Sequence, residues 1–323
     1  MSKVTHPKTL VEAVRYFADP AVAQAFLAAM RWPDGVTCPT CGSKEVTYLE
    51  NDRRWKCRTE HKRQKFSAKV GTVMEDSPIG LDKWLPTMWL IASCKNGISS
   101  YEVARGLKVT QKTAWFMLHR IRLAMQESGG MLGGGFGGEP VEVDETYIGG
   151  RARMMNAKRR KAIVKGSGPH QSGKTMVMGI LERHGRIRAK VIADLKRTTL
   201  AGEVSKTVKR GSNVYTDENA AYDGLVPPHF FRQAVNHAET YVRGNVHTNG
   251  IENFWSLLKR GLRGTYVAVE PFHLFRYVDE QAFRFNTRKA GDGERFMDVV
   301  RMAVGKRLTY RHLTGGDSLL ATA

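Results

Sequence analysis

The chain has 323 residues, with 51 Lys plus Arg against 31 Asp plus Glu, a formal net charge of +20. That excess calls for an anionic partner, and 41% hydrophobic residues are enough for packed cores, which excludes a wholly disordered chain. The longest apolar stretch, Trp84 to Cys94, is broken by Pro86, Thr87 and Ser93 and falls well short of the ~18 residues of a membrane span. MSKVTHPKTL carries no apolar signal core, and four cysteines are too few for a disulfide scaffold. The expected location is therefore a reducing cytoplasm, and the charge, spread along the chain rather than gathered beside an amphipathic segment, favours nucleic acid over membrane.

In chain order, residues 8–30 read as two short helices broken at Asp19-Pro20, and a compact segment from Cys38 to about Glu75 holds three of the four cysteines. Residues 81–126 are helical in pattern. Seven glycines in SGGMLGGGFGG, 128–138, predict a flexible linker. Beyond it Val141, Val143 and Tyr147 alternate with Glu142, Asp144 and Thr146, so Asp144 shares a strand face with Glu142 and Thr146 while Glu145 points the other way. Thr175–Glu182 and Arg186–Ala193 read as a hairpin about Arg183-His184-Gly185, Leu200–Val208 as a helix, and Asn213–Tyr215 as a strand ending at Thr216-Asp217. A strand at Phe230–Val235 and helices at Ile251–Leu262 and Phe272–Phe285 follow. The last thirty residues carry no pattern.

Cys38, Cys41, Cys57 and His61 form C-x2-C-x15-C-x3-H, the spacing of a tetrahedral Zn²⁺ site built from two short-loop knuckles. Cys94, in an apolar helical run, reads as a packing residue rather than the fourth ligand. Arg53, Arg54, Lys56, Arg58, Lys62, Arg63, Lys65 and Lys69 surround the cluster with only Glu60 opposing them, which makes it a candidate DNA contact. Ser99-x-x-Glu102 is a capping-box pattern, and Thr110 can cap a second helix with Ala114, Met117, Leu118 and Ile121 inward. Gln111, Lys112 and Thr113 then stand where a recognition helix meets base edges, supported by Arg120 and Arg122; packing alone also explains such a helix pair.

Asp144 lies on the first strand after the Gly-rich segment, Asp217 at the end of a later strand and Glu252 at the start of a helix. Gathered together, three carboxylates would repel one another unless divalent metal neutralised them, and two oxygen-bound cations can drive in-line phosphoryl transfer. Singly, each has a plain alternative: a solvated strand residue, an ordinary turn with Glu218 and Asn219, a helix start capped by Asn249. Their order suits an RNase H-like core. Lys259 lies two turns beyond Glu252 on nearly the same helix face, where it can hold a phosphate, unless that face is only solvated.

These residues together resemble the ISXO-like insertion-sequence transposases. The resemblance rests on RWPDGVTCPTCGS (31–43), WKC (55–57), FSAKVGTVMEDSPIGLDKW (66–84), VEVDETYIGG (141–150), VYTDENAAY (214–222), HTNGIENFWSLLKRG (247–261) and HLFRYVDEQAFRFNTR (273–288). It implies an α/β fold, an RNase H-like catalytic domain preceded by a zinc ribbon and a helix-turn-helix, acting as a DNA transposase. The family's acidic triad falls on Asp144, Asp217 and Glu252, binding Mg²⁺ or Mn²⁺, and its following lysine on Lys259. His61 stands where many relatives have Cys, and Val267 where relatives often have His. The implied division is 1–30 helical, 31–78 zinc ribbon, 79–127 helix-turn-helix, 128–138 linker, 139–290 catalytic domain and 291–323 tail. The implied partner is double-stranded DNA, the terminal inverted repeats and the target, bound by a homodimer or larger assembly in the bacterial nucleoid.

Three other patterns compete. Gly168-x4-Gly173-Lys174-Thr175 satisfies the P-loop formula, which requires a strand before it and a helix after it. The stretch Arg151–Lys174, with eight Lys/Arg and no acid, reads better as a DNA-binding loop led by Arg159, Arg160 and Lys161. His119-x-x-Arg122 and His273-x-x-Arg276-Tyr277 faintly resemble the tyrosine recombinases, though the surrounding helices explain both spacings, and a catalytically inactive DNA-binding regulator would keep the same ribbon and helix pair.

Overall fold

The computed structural model describes residues 7–127, 129–149, 157–158, 161, 173–235 and 247–315. The chain forms two compact units, one of residues 1–126 with 289–323 and one of residues 127–288.

The first unit opens with α1 (Leu10–Tyr16) and α2 (Pro20–Arg31), separated where Asp19 caps the second helix and Pro20 takes its first position. A three-stranded antiparallel sheet follows: β1 (Val46–Leu49), β2 (Arg54–Cys57) and β3 (Lys65–Phe66). Then come α3 (Leu81–Ser93), α4 (Ser100–Leu107) and α5 (Gln111–Met125).

The second unit is a mixed five-stranded sheet with helices on both faces. Its elements are β4 (Val141–Ile148), β5 (Thr175–Glu182), β6 (Ile187–Ile192), α6 (Arg197–Thr207), β7 (Ser212–Asp217), β8 (Phe230–Val235), α7 (Asn249–Gly261) and α8 (Leu274–Asn286). The strand order is β6-β5-β4-β7-β8, antiparallel among β4, β5 and β6, and parallel from β4 to β7 and β7 to β8. Period-two alternation sorts the two faces. Val141, Val143, Met176, Met178 and Ile180 pack with Leu200 and Val204 of α6, whereas Val177 and Leu181 pack with Ile251, Phe254 and Trp255 of α7.

After α8 the chain returns to the first unit. There α9 (Asp292–Met302) lies along α3, and α10 (Tyr310–Leu313) follows. Phe296 stacks on Phe26 and also meets Phe17 and Trp89, so the segment that reads as a patternless tail completes a core. Ala303 accepts from the Val73 N–H at 2.9 Å and Gly305 donates to Gly71 at 2.9 Å.

Residues 129–138 of the expected linker are likewise packed. Leu132 is buried in the core beneath α6, donates to Thr207 at 2.8 Å and accepts from Lys209 at 2.9 Å, while Gly135 donates to Ser212 Oγ at 3.1 Å. One leucine among seven glycines is enough to fasten the segment. Among the described residues no helix is long and apolar enough to cross a membrane.

Candidate active site and metal centre

In the first unit the β1–β2 and β2–β3 pairings bring Cys57 and His61 to the knuckle of Cys38 and Cys41. One ligand atom from each lies within 4.8 Å of all the others. Cys41 Sγ and Cys57 Sγ are 3.6 Å apart, and Cys38 Sγ and His61 Nε2 are 3.3 Å apart. A tetrahedron with Zn–S bonds of about 2.3 Å has edges near 3.8 Å, so the donor set fits Zn²⁺ in type, number and spacing. Cys94, at the end of α3, is outside the group. Around the site Arg53, Arg54, Lys56, Arg58, Lys62, Arg63 and Lys65 are exposed. Lys69 is not part of that surface: its half-buried ammonium donates to the carbonyls of Ser77 at 2.7 Å and Ile79 at 3.2 Å.

The helix pair forms with the expected caps. Ser99 and Glu102 close a capping box on α4, Lys108 takes a left-handed conformation between the helices, and Thr110 Oγ1 accepts from the Thr113 N–H at 3.1 Å. At the start of α5, Gln111 donates to Ser100 Oγ at 2.9 Å, Thr113 pairs with Thr110, and the exposed Lys112 ammonium stands 4.8 Å from the Tyr310 ring. Arg120 contradicts its expected role at DNA. It is 4% exposed, its Nε donates to Leu308 at 3.1 Å, and its guanidinium also reaches the Glu75 carbonyl. Arg122 is buried too. Both lie among inward-facing residues of α5, and their charge alone gave no sign of it. Arg159 and Arg160 lie outside the described residues; Lys161 is exposed.

In the second unit Val141 pairs with Val214 and Glu142 with Tyr215, and Asp144 and Asp217 each stand two residues beyond that last pair on their own strands. Alternation puts both carboxylates on the face covered by α7, whose exposed flank carries Glu252, Ser256 and the half-buried Lys259. Asp144 Oδ2 accepts the Trp255 indole N–H at 2.9 Å and Oδ1 accepts the Glu145 N–H at 2.8 Å, leaving one lone pair on each oxygen. Burial pushes its carboxyl up to about 6, the two hydrogen bonds oppose that, and the charges of Asp217 and Glu252 add to it. Asp217 Oδ1 accepts the Asn219 N–H at 3.1 Å, so the ordinary turn forms as well. Thr248 donates to Glu252 Oε1 at 3.3 Å and precedes the first turn of α7, the place expected for Asn249. Desolvation lowers the Lys259 pKa while Asp144 opposes the shift. The carboxylates sense one another, but among the described residues only the cysteine–histidine group is drawn within a single ion's reach.

Two site residues escape a reading by residue type. Glu145, facing away from α7, accepts the hydroxyl of the buried Tyr222, and burial together with Asp217 and Asp144 pushes it up to about 7. Trp255 belongs to the buried stripe of α7 as expected, yet its N–H supports Asp144. Gly179, opposite Asp144 on β5, makes room for it, since a Cβ there would lie 2.8 Å from the indole. Two competing patterns lose their structural context. Gly173-Lys174-Thr175 leads into a strand instead of a helix, and Tyr277 is buried against Tyr266.

Residues 133–286 match the ISXO2-like transposase domain, and residues 19–61 match the transposase zinc-ribbon domain. A Halobacterium salinarum protein described as an uncharacterized protein in transposable element ISH50 is 30% identical over 264 residues, 77% of this chain and 85% of the relative. The zinc-binding donor set thus falls in one matched domain and the carboxylate-bearing sheet in the other, and the chain belongs to the ISXO2-like insertion-sequence transposase family.

Proposed function

We propose that the protein binds the terminal inverted repeats of an insertion sequence, cuts the DNA at its ends and joins the freed 3′-hydroxyls to target DNA. The observation that carries this reading is that Asp144 and Asp217 each stand two residues beyond the last pair of neighbouring parallel strands, with the charges of Asp217 and Glu252 both acting on Asp144, beside a helix whose flank presents Glu252 and Lys259. The strand order and mixed directions agree with an RNase H-like domain. In this reading Asp144, Asp217 and Glu252 hold two divalent cations, Mg²⁺ or Mn²⁺, which when bound supply Lewis acidity at the attacking and leaving oxygens. The oxygen-only, repelling donor set suits hard cations.

In cleavage, a water oxygen forms the new bond to phosphorus, the 3′-oxygen leaves and takes up a proton, and a 5′-phosphate remains. In strand transfer that 3′-hydroxyl is the nucleophile and a target 3′-oxygen leaves, so phosphodiester bonds are conserved. Lys259 pairs with a phosphate of the DNA end. Trp255 and the Glu145 N–H fix the Asp144 carboxylate. Gln111, Lys112 and Thr113, together with Arg159, Arg160 and Lys161, contact DNA, and pairing two ends calls for a homodimer or larger assembly. The test is cleavage and strand transfer on a labelled terminal repeat, wild type against Asp217→Ala. Metal-dependent products are expected from the wild type only. Equal activity removes the assignment, and DNA binding without cleavage by the wild type leaves an inactive regulator.

A further inference from the structure

Two residues before Asp144 on the same face of β4 stands Glu142, a carboxylate that is 1% exposed. Its Oε2 accepts the backbone N–H of Ile251 at 3.0 Å. Ile251 is the third residue of α7, whose N-cap residue, Thr248, makes no side-chain cap bond and directs its hydroxyl to Glu252 instead. The donor that an N-cap side chain ordinarily satisfies is thus taken by a strand residue 109 positions away in sequence. Its other oxygen, Oε1, accepts from Arg183 Nε and pairs with Arg183 Nη2, both at 3.1 Å, while Arg183 Nη2 also donates to the His247 carbonyl at 3.0 Å. One carboxylate therefore ties the β5–β6 turn and the residue before Thr248 to the start of α7. Gly250 allows the approach: a Cβ there would lie 2.8 Å from Glu142 Oε2 and 2.8 Å from Leu181 Cδ2.

We infer that Glu142 is a positioning residue that, by capping α7 from β4, fixes Glu252 relative to Asp144 and so sets the affinity of the carboxylate site for divalent metal. The inference rests on the metal-binding reading above. Asp144 and Glu142 are rigidly related by the strand, Ile251 and Glu252 are adjacent in the helix, and the cap is a short hydrogen-bonded link between the two pairs at the start of the helix, one turn before the link from Trp255 to Asp144. The chain's own glycine, arginine and acid, far apart in sequence, meet to make it.

The experiment is a Mn²⁺ titration of the full-length, zinc-loaded protein, with free Mn²⁺ read by electron paramagnetic resonance at a temperature where circular dichroism shows every variant folded. Wild type is expected to take up Mn²⁺ in a manner lost with Asp217→Ala. Glu142→Gln is expected to weaken that uptake about 10-fold, the scale of a lost ligand-orienting contact. Gly250→Ala, which keeps the buried acid but crowds the cap, is expected to weaken it in the same direction. A lower thermal midpoint with unchanged Mn²⁺ affinity in both variants would mean that Glu142 serves stability alone and would overturn the inference. Wild-type uptake unaffected by Asp217→Ala would remove the metal reading and the inference with it.

Discussion

The two groups of candidate metal-ligating residues are built on opposite plans. In the ribbon, three thiols and an imidazole converge within 4.8 Å on short hairpins, with Cys38 and Cys57 buried. In the sheet unit the carboxylates come from two strands and a helix, the charges of Asp217 and Glu252 raise the proton affinity of Asp144, and among the described residues they are not gathered as tightly as the ribbon's four ligands. Sulfur and imidazole ligands can be drawn together on one ion, whereas charged carboxylates repel one another until cations neutralise them, and in the proposed reading a site that must admit DNA oxygens gains from remaining open. Closure belongs with architecture and openness with chemistry.

The largest expected effect tests the closed site. Cys57→Ser should abolish zinc retention and unfold the ribbon, because apparent metal-binding free energy there is folding free energy on the order of 10 kcal/mol. Bound zinc by atomic absorption and proteolysis across residues 38–66 measure it. Retention of zinc with an intact ribbon would break the contrast.

The open site should show the reverse dependence on its ion, through pH. Asp144 near 6 and Glu145 near 7 lie above their unfolded values of 3.8 and 4.5, so the folded metal-free protein holds more protons than the unfolded chain between about pH 4 and 7. Their contribution to stability is therefore fully present below the unfolded values and falls as pH rises through the folded ones. Without divalent metal, the thermal midpoint of the sheet unit should decline over that window; with Mg²⁺ at pH 8 it should rise. Calorimetry reads both. A midpoint that climbs from pH 4 to 7 in Asp144→Asn less than in wild type would contradict the sign.

The smallest effect concerns orientation. Trp255→Phe removes the hydrogen bond to Asp144 while keeping the packing, and a bond to a charged group contributes about 1.5–3 kcal/mol. Strand transfer should fall about 10-fold, and the acid limb of its pH profile should move to higher pH, because the carboxylate loses a donor that favours its charged form.

Much of this was legible in the chain. The period-two run from Val141 to Ile148 locates β4 and assigns Asp144 to one face and Glu145 to the other, and the C-x2-C-x15-C-x3-H spacing assembles as a single cluster. Hidden features depend on tertiary partners. Arg120 and Lys69 carry the same charge as their exposed neighbours, yet backbone carbonyls brought in from elsewhere satisfy them. Glu142 reads as one more alternating polar residue, because its importance lies in a helix end more than a hundred residues away. Leu132 and Phe296 show the same limit for apolar residues: one side chain in a glycine run, or one aromatic in a segment without pattern, has no periodicity to announce it.

The return of α9 to the first unit bears on how the protein is made. A ribosome releases residues 1–126 long before Phe296, the ring that meets Phe17, Phe26 and Trp89. Until then the ribbon and the helix pair lack part of their core, while the whole sheet unit has already been synthesised. The unit that carries the candidate DNA-reading helix is therefore finished last, and a nascent chain holds a complete carboxylate site before it holds a complete first unit.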